Sequence, residues 1–130
     1  MNRQKGFTVI ELLVVAGFLI AVAVLGYIQL SKITNEAENT TRRTAINAIY
    51  YSLEEDFYKR NQYYPEKIED NTLPTMDKEL LKDSKNIKLN ETGSLYRYEP
   101  ANCKDGKCKS YTLRTILIKQ ADFIKESRNR

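Results

Sequence analysis

Few residues in this chain can do chemistry. It has no histidine and only two thiols, Cys103 and Cys108, so the usual imidazole acid/base and the commonest neutral metal ligand are both missing. The two cysteines stand almost symmetrically about Asp105-Gly106 in the stretch ANCKDGKCK. Asp-Gly is a strong two-residue hairpin signal, and the positions flanking it face each other across the strands, as disulfide partners do. A metal site would need further thiol or imidazole ligands, and the spacing is not that of a C-x-x-C redox pair. The expectation is a Cys103–Cys108 bridge and a protein that is not an enzyme, with no catalytic residue, metal or cofactor. The other chemically notable group is Glu11, the single charge in FTVIELLVVAGFLIAVAVLGYIQL, residues 7 to 30. A charged side chain near the middle of a bilayer costs roughly 2.5–3.5 kcal/mol, so something must offset it.

Glu11 is positioned by an apolar run which, at about 1.5 Å per residue, exceeds the ~30 Å of a hydrocarbon core and so reads as one transmembrane helix. Arg3 and Lys5 precede it, whereas the other flank offers Lys32 followed by Glu36 and Glu38. The positive-inside rule therefore places the amino terminus in the cytoplasm and the bulk of the chain outside. Three readings stay open on these residues: a secretory signal cut after Ala21-Val22-Ala23, a plain signal anchor, and a helix whose carboxylate has a partner. Overall, 21 basic and 17 acidic side chains give a net charge of +4, a balance too mixed to announce a nucleic-acid partner.

The segment Lys5-Gly6-Phe7-Thr8-Val9-Ile10-Glu11 combines a short basic leader ending in glycine, an aromatic residue, a carboxylate at set spacing and a long apolar run. It resembles the class III signal of type IV pilins and of the pseudopilins of type II secretion. The resemblance is specific over residues 3 to 30 and architectural beyond them. It implies a leader, residues 1 to 6, cut between Gly6 and Phe7 by prepilin peptidase, and N-methylation of Phe7. It also implies that Glu11 faces the ammonium of a neighbouring subunit's first residue and sets the register of assembly. The implied protein is a structural subunit of a pilus-like filament or secretion pseudopilus, held in the bacterial cytoplasmic membrane with its C-terminal domain outside. Its implied partners are other pilin subunits, the peptidase, an assembly platform with its ATPase, and lipid before assembly. Many major pilins carry a proline near the position of Ile28; its absence leans towards a minor pilin or pseudopilin. The competing reading is a signal-anchored monomer with a small extracytoplasmic binding domain.

No glycine or proline falls between Tyr27 and Tyr64, so the helix begun at residue 7 is expected to continue to about 61. Ile33, Ala37, Thr41, Ala45, Ile49, Leu53 and Phe57 follow a spacing of four along one face, with Arg42 and Glu54 among the charges assigned to the other. Tyr64-Pro65 ends the helix. A connector over 62–86 contains an expected short helix from Met76 to Asp83 capped by Thr75, held by Leu73, Leu80 and Leu81. The β-region over 87–119 is read from a weak strand at Lys85–Leu89, alternation at Tyr96 and Tyr98, and the facing set Tyr111, Leu113, Thr115 and Leu117. A tail over 120–130 is expected to fray. The whole is α+β, a long N-terminal helix packed against a small C-terminal antiparallel sheet, with residues 31–130 as the globular part. Tyr50, Tyr51, Tyr58, Tyr63 and Tyr64 read as half-buried at the helix–sheet boundary. Lys104, Lys107 and Lys109 with Arg128 and Arg130 read as solvated charges or, more weakly, as a basic tip for DNA. Asn39-Thr40-Thr41 and Asn90-Glu91-Thr92 match the bare glycosylation sequon.

Overall fold

A computed structural model describes residues 6 to 129. Arg3, Lys5 and the rest of the expected leader before Gly6, together with Arg130, lie outside the described residues. The chain forms two compact units, one up to Glu36 and one from Ala37 onward. Helix α1, Val9–Tyr51, supplies all of the regular structure of the first unit among the described residues and opens the second.

In the first unit α1 begins at a side-chain cap. The Glu11 N–H donates to Thr8 Oγ1 at 3.2 Å, and the Leu12 N–H reaches the Thr8 carbonyl at 3.1 Å. Thr8-x-x-Glu11 is thus one half of a capping box, and it places an acidic residue in the first turn, where the helix dipole favours it. From Phe7 onward the large apolar side chains stand exposed, including Phe7, Ile10, Phe18, Leu25 and Ile33. Gly17 and Gly26 lie within the helix with no neighbouring atom within 4 Å of where a Cβ would stand. The most apolar window has a mean hydropathy of 2.7 with none of it buried, and the helix is long and apolar enough to cross a membrane.

In the second unit the remainder of α1 packs on an antiparallel sheet. A π-helical turn, Ser52–Phe57, follows α1, and then the short α2, Tyr58–Asn61. Gln62, at φ 62°, ends the helix with a left-handed cap whose N–H donates to the Tyr58 carbonyl. The strands are β1 (Tyr64–Pro65), β2 (Tyr96–Lys104), β3 (Lys107–Thr115) and β4 (Phe123–Glu126). β3 is central, with β2 on one side and both β1 and β4 on the other. Tyr96, Tyr98, Tyr111 and Leu113 alternate inward against Ala45, Ile46, Ile49 and Leu53 of the helix, and Leu73 and Leu81 close the core from the connector while Leu80 is only half-buried. This is the expected α+β arrangement.

Several expectations are corrected by the structure. The stripe of α1 facing the sheet runs through Asn39, Arg42, Ala45, Ile46 and Ile49, while Ala37 and Thr41 are exposed. Asn39 and Arg42 bond main-chain groups at the end of β3, as described below, so two polar residues take positions that apolar spacing gave to their neighbours. The connector helix is a 3-10 turn, Lys78–Leu81, capped by Asp77, whose carboxylate accepts from the Glu79 N–H. Thr75 instead donates to Asp56 at 3.0 Å. Lys85–Leu89 is not a strand. Asn86 and Asn90 take left-handed φ of 62° and 65°, and only an isolated bridge joins Lys82 to Lys88. The tail does not fray, because β4 adds to β3 in register from Thr115↔Phe123 to Thr112↔Glu126. Leu117 is buried as expected, although β3 ends at Thr115. Among the five tyrosines, Tyr64 is fully buried and Tyr51 is half exposed.

Candidate functional site

Gly6, Phe7 and Glu11, the residues of expected processing and assembly, fall together at the start of the first unit. Gly6, Phe7 and Thr8 precede the helix in extended or irregular backbone, and Gly6 has open space around it. Phe7 is 78% exposed. The Glu11 carboxylate is exposed and has no bonding partner among the described residues. Its own main chain is capped by Thr8, but the side chain is left with only the partial positive charge of the helix end. The Thr-x-x-Glu spacing is the sequence signal for this cap.

In the second unit the Cys103–Cys108 disulfide is present, closing the β2–β3 hairpin. Asp105 and Gly106 at its tip have φ of 53° and 75°, the two left-handed positions that a type I′ turn requires. Lys104 lies directly opposite Lys107, and Cys103 opposite Cys108.

Buried polar groups hold this unit together at both ends of the sheet. At one end Asn39, fully buried, donates to the Ile118 carbonyl at 3.1 Å and accepts the Ile118 N–H at 2.8 Å. Arg42 donates to the Ile116 carbonyl at 2.7 Å and pairs with Glu38 at 3.1 Å. The Ser84 hydroxyl, against a smaller opposing effect of burial, and then Arg42 hold the Glu38 carboxyl below its ordinary range. At the other end Glu54 is buried with no cation bonded to it among the described residues. It accepts from the Tyr111 hydroxyl at 2.7 Å, the Tyr64 hydroxyl at 3.0 Å and the Arg128 N–H at 3.2 Å. Glu54 sits in the π-helical turn, whose wider coil advances each residue by a smaller angle and so rotates this side chain towards the sheet. Burial first, and then the Glu54 carboxylate, pushes the Tyr64 phenol up to about 12; burial and Glu54 raise the Tyr111 phenol as well. The tail closes over this end, with Ser127 and Tyr111 exchanging bonds at 3.0 Å and 3.3 Å and the Arg128 guanidinium meeting Glu55 and Tyr50.

The connector has its own polar centre in Asp83, which accepts the N–H groups of Lys85, Ile87 and Leu95 at 2.9, 3.0 and 2.9 Å. Burial pushes its carboxyl up, but these bonds outweigh it and hold the group below the usual carboxylate range. Both glycosylation sequons are occupied by folding. Asn39 is spent on Ile118, and Asn90 both donates to the Tyr98 carbonyl and accepts the Tyr98 N–H, each at 2.8 Å. Asn39 is fully buried in the folded unit, whereas Asn90 keeps an exposed side. Among the described residues no group of three or more His, Cys, Asp or Glu is placed to hold a metal ion.

Comparison of the chain with protein-family models, with curated proteins and with solved structures returns no match. An apolar N-terminal helix, a small antiparallel sheet packed on a helix and a disulfide-closed hairpin together make a pilin-like architecture.

Proposed function

We propose that this chain is a structural subunit, a pilin or minor pilin or pseudopilin, of a type IV pilus-like filament or type II secretion pseudopilus. In this reading prepilin peptidase cuts between Gly6 and Phe7, Phe7 is N-methylated, and the apolar part of α1 rests in the cytoplasmic membrane until it joins the helices of other subunits. The subunit itself carries no catalytic role. An assembly platform and its ATPase supply the work.

The observation that carries the reading is Glu11, an exposed carboxylate without a side-chain partner at the head of a helix whose apolar window is wholly uncovered. A carboxylate in lipid is costly, whereas one paired with an ammonium inside a helix bundle regains attraction that water would have screened. Assembly then offers Glu11 what the monomer lacks. One observation favours the runner-up, a signal-anchored monomer: a carboxylate in the first turn of α1 sits where the helix dipole favours negative charge, which gives Glu11 a local reason to be there.

Two measurements separate them. Intact mass and N-terminal sequencing of the protein from its native membrane should give a chain beginning at N-methylated Phe7; a start at Met1 leaves the plain anchor, and a start at Val24 means a secreted domain. Glu11→Ala should abolish or impair filaments and crosslinked oligomers. Glu11→Gln keeps the half capping box, which uses only the main-chain N–H of this residue, and should impair assembly equally. Normal assembly of both variants would refute the role given to Glu11.

A further inference from the structure

The hairpin of β2 and β3 carries an arrangement that folding alone does not explain. Lys107 and Lys109 alternate along β3 and so share a face, and Lys104, paired directly across from Lys107, joins them there. Like charges placed opposite each other across a strand pair are destabilising, and among the described residues none of the three lysines forms an ion pair. The Cys103–Cys108 disulfide and the left-handed turn at Asp105-Gly106 fix the backbone that presents them. Three lysines are therefore carried side by side on the backbone of one short hairpin, at a cost to it.

They rim a groove of about 510 Å³ whose other walls are Tyr58, Tyr63, Cys108 and three residues with side-chain amides. Among the described residues no carboxylate lines it. Tyr58 stacks on Tyr64 at 4.8 Å between centroids, and the Lys107 ammonium lies 5.1 Å from the centre of the Tyr63 ring. The amides belong to Gln62, Asn102 and Asn129. Gln62 and Asn129 spend their N–H groups on the helix end and on the Tyr64 hydroxyl, which leaves carbonyl oxygens to accept from hydroxyls. Groove volume, ring surface, hydroxyl-accepting amides and clustered ammonium groups together suit a ligand with hydroxyls and negative charge on each unit.

We infer that this groove binds an anionic polysaccharide, its sugar carboxylates on Lys104, Lys107 and Lys109 and its hydroxyls on the amides. Nucleic acid is the less fitting polyanion. The Lys107 ammonium already occupies the Tyr63 face on which a base would stack, and no arginine lines the groove among the described residues to grip phosphate with two bonds. The inference concerns the second unit alone and holds whether or not the chain polymerises.

The test is binding of the full-length chain, in detergent micelles, to labelled polygalacturonate, with neutral dextran and oligo-dT as the other arms. Polygalacturonate should bind well above dextran, and more weakly as salt rises. The triple variant Lys104→Gln, Lys107→Gln, Lys109→Gln should lose roughly tenfold in affinity, the combined size of three exposed ion pairs. The matching triple Lys→Arg variant should keep binding. Retention of the disulfide by mass and of the far-ultraviolet spectrum checks that both variants fold. Polygalacturonate binding no better than dextran, or equal binding by wild type and the Lys→Gln triple variant, overturns the inference. Tighter binding of oligo-dT than of polygalacturonate also overturns it and makes the groove a nucleic-acid site.

Discussion

Replacing Glu54 tests how the second unit is closed. The carboxylate is 4% exposed and its bonds come from two phenols and one main-chain N–H. Glu54→Leu keeps most of the volume but strands those donors. The Tyr111 hydroxyl, 2.7 Å from Glu54, has no other partner among the described residues, while Tyr64 keeps only the bond it accepts from Asn129 at 3.3 Å. A buried hydroxyl left unpaired costs about 1–3 kcal/mol, so two of them, one partly compensated, give a loss of roughly 2–4 kcal/mol. A contribution of opposite sign exists, because removing an uncompensated buried charge recovers its desolvation. The two are separated by adding Tyr64→Phe and Tyr111→Phe to the Leu variant. With donors and acceptor all replaced by apolar groups, at least half of the loss should return, since such a swap is nearly neutral. The assay is thermal unfolding of the full chain in detergent, followed by the near-ultraviolet signal of the core tyrosines. Glu54→Leu should lower the midpoint by roughly 10 °C or more. A neutral or stabilising Glu54→Leu, or Tyr→Phe changes that add further loss, would refute the view that orphaned donors dominate.

Three further outcomes follow from the same unit. Reducing Cys103–Cys108, which closes a loop of sequence separation 5, should remove about 2 kcal/mol in the chain-entropy treatment; an unchanged midpoint under reductant would mean that the hairpin holds itself. The Tyr64 phenol is pushed from 10.0 up to about 12 by burial and then Glu54, and those of Tyr98 and Tyr111 are raised too. Because these folded values lie above the unfolded one, their stabilisation is complete below pH 10 and is lost as the pH climbs from 10 through 12. Phenolate absorbance should therefore rise together with unfolding, and titration of all nine tyrosines at pH 10 with the fold intact would contradict this. Asn39→Ala removes both bonds to Ile118 and should cost about 1–3 kcal/mol. Hydrogen exchange at the Ile118 amide should accelerate, and unchanged protection there would show that Asn39 is not what holds it.

The legible parts of this protein are those whose chemistry is local. Asp-Gly between two cysteines specifies turn, register and bridge within six residues, and the apolar run needs only its own composition to be read. The tyrosine alternation in β2 and β3 is equally explicit. What could not be read was set by polar residues with distant partners. Apolar periodicity counts Ala37 and Thr41 and skips Asn39 and Arg42, although it is the latter pair that reaches the backbone at Ile116 and Ile118. Nothing near the tail announces β4, because its partner is the distant Thr112–Thr115 stretch of β3 and the residues just after it are tied to Tyr111 and to Glu54 in the π-helical turn. The Lys85–Leu89 stretch has strand-like composition, yet Asp83 draws three N–H groups around it and the flanking asparagines turn left-handed.

Two glutamates of the long helix differ in whether the chain itself supplies their partners. Glu54 looks like surface charge in the sequence, but its need for donors is met entirely within the chain, and it asks nothing of another molecule. Glu11 is the reverse. Its surroundings are apolar side chains with no cover, and the chain supplies its side chain with no donor among the described residues. The partial charge of a helix end is worth about 0.3–1 kcal/mol, well short of the roughly 2.5–3.5 kcal/mol that a carboxylate in lipid costs. The shortfall is the reason to look for its partner outside the chain. In the filament reading proposed above, that partner is the ammonium at the start of another subunit, whose attraction no water would screen inside a helix bundle.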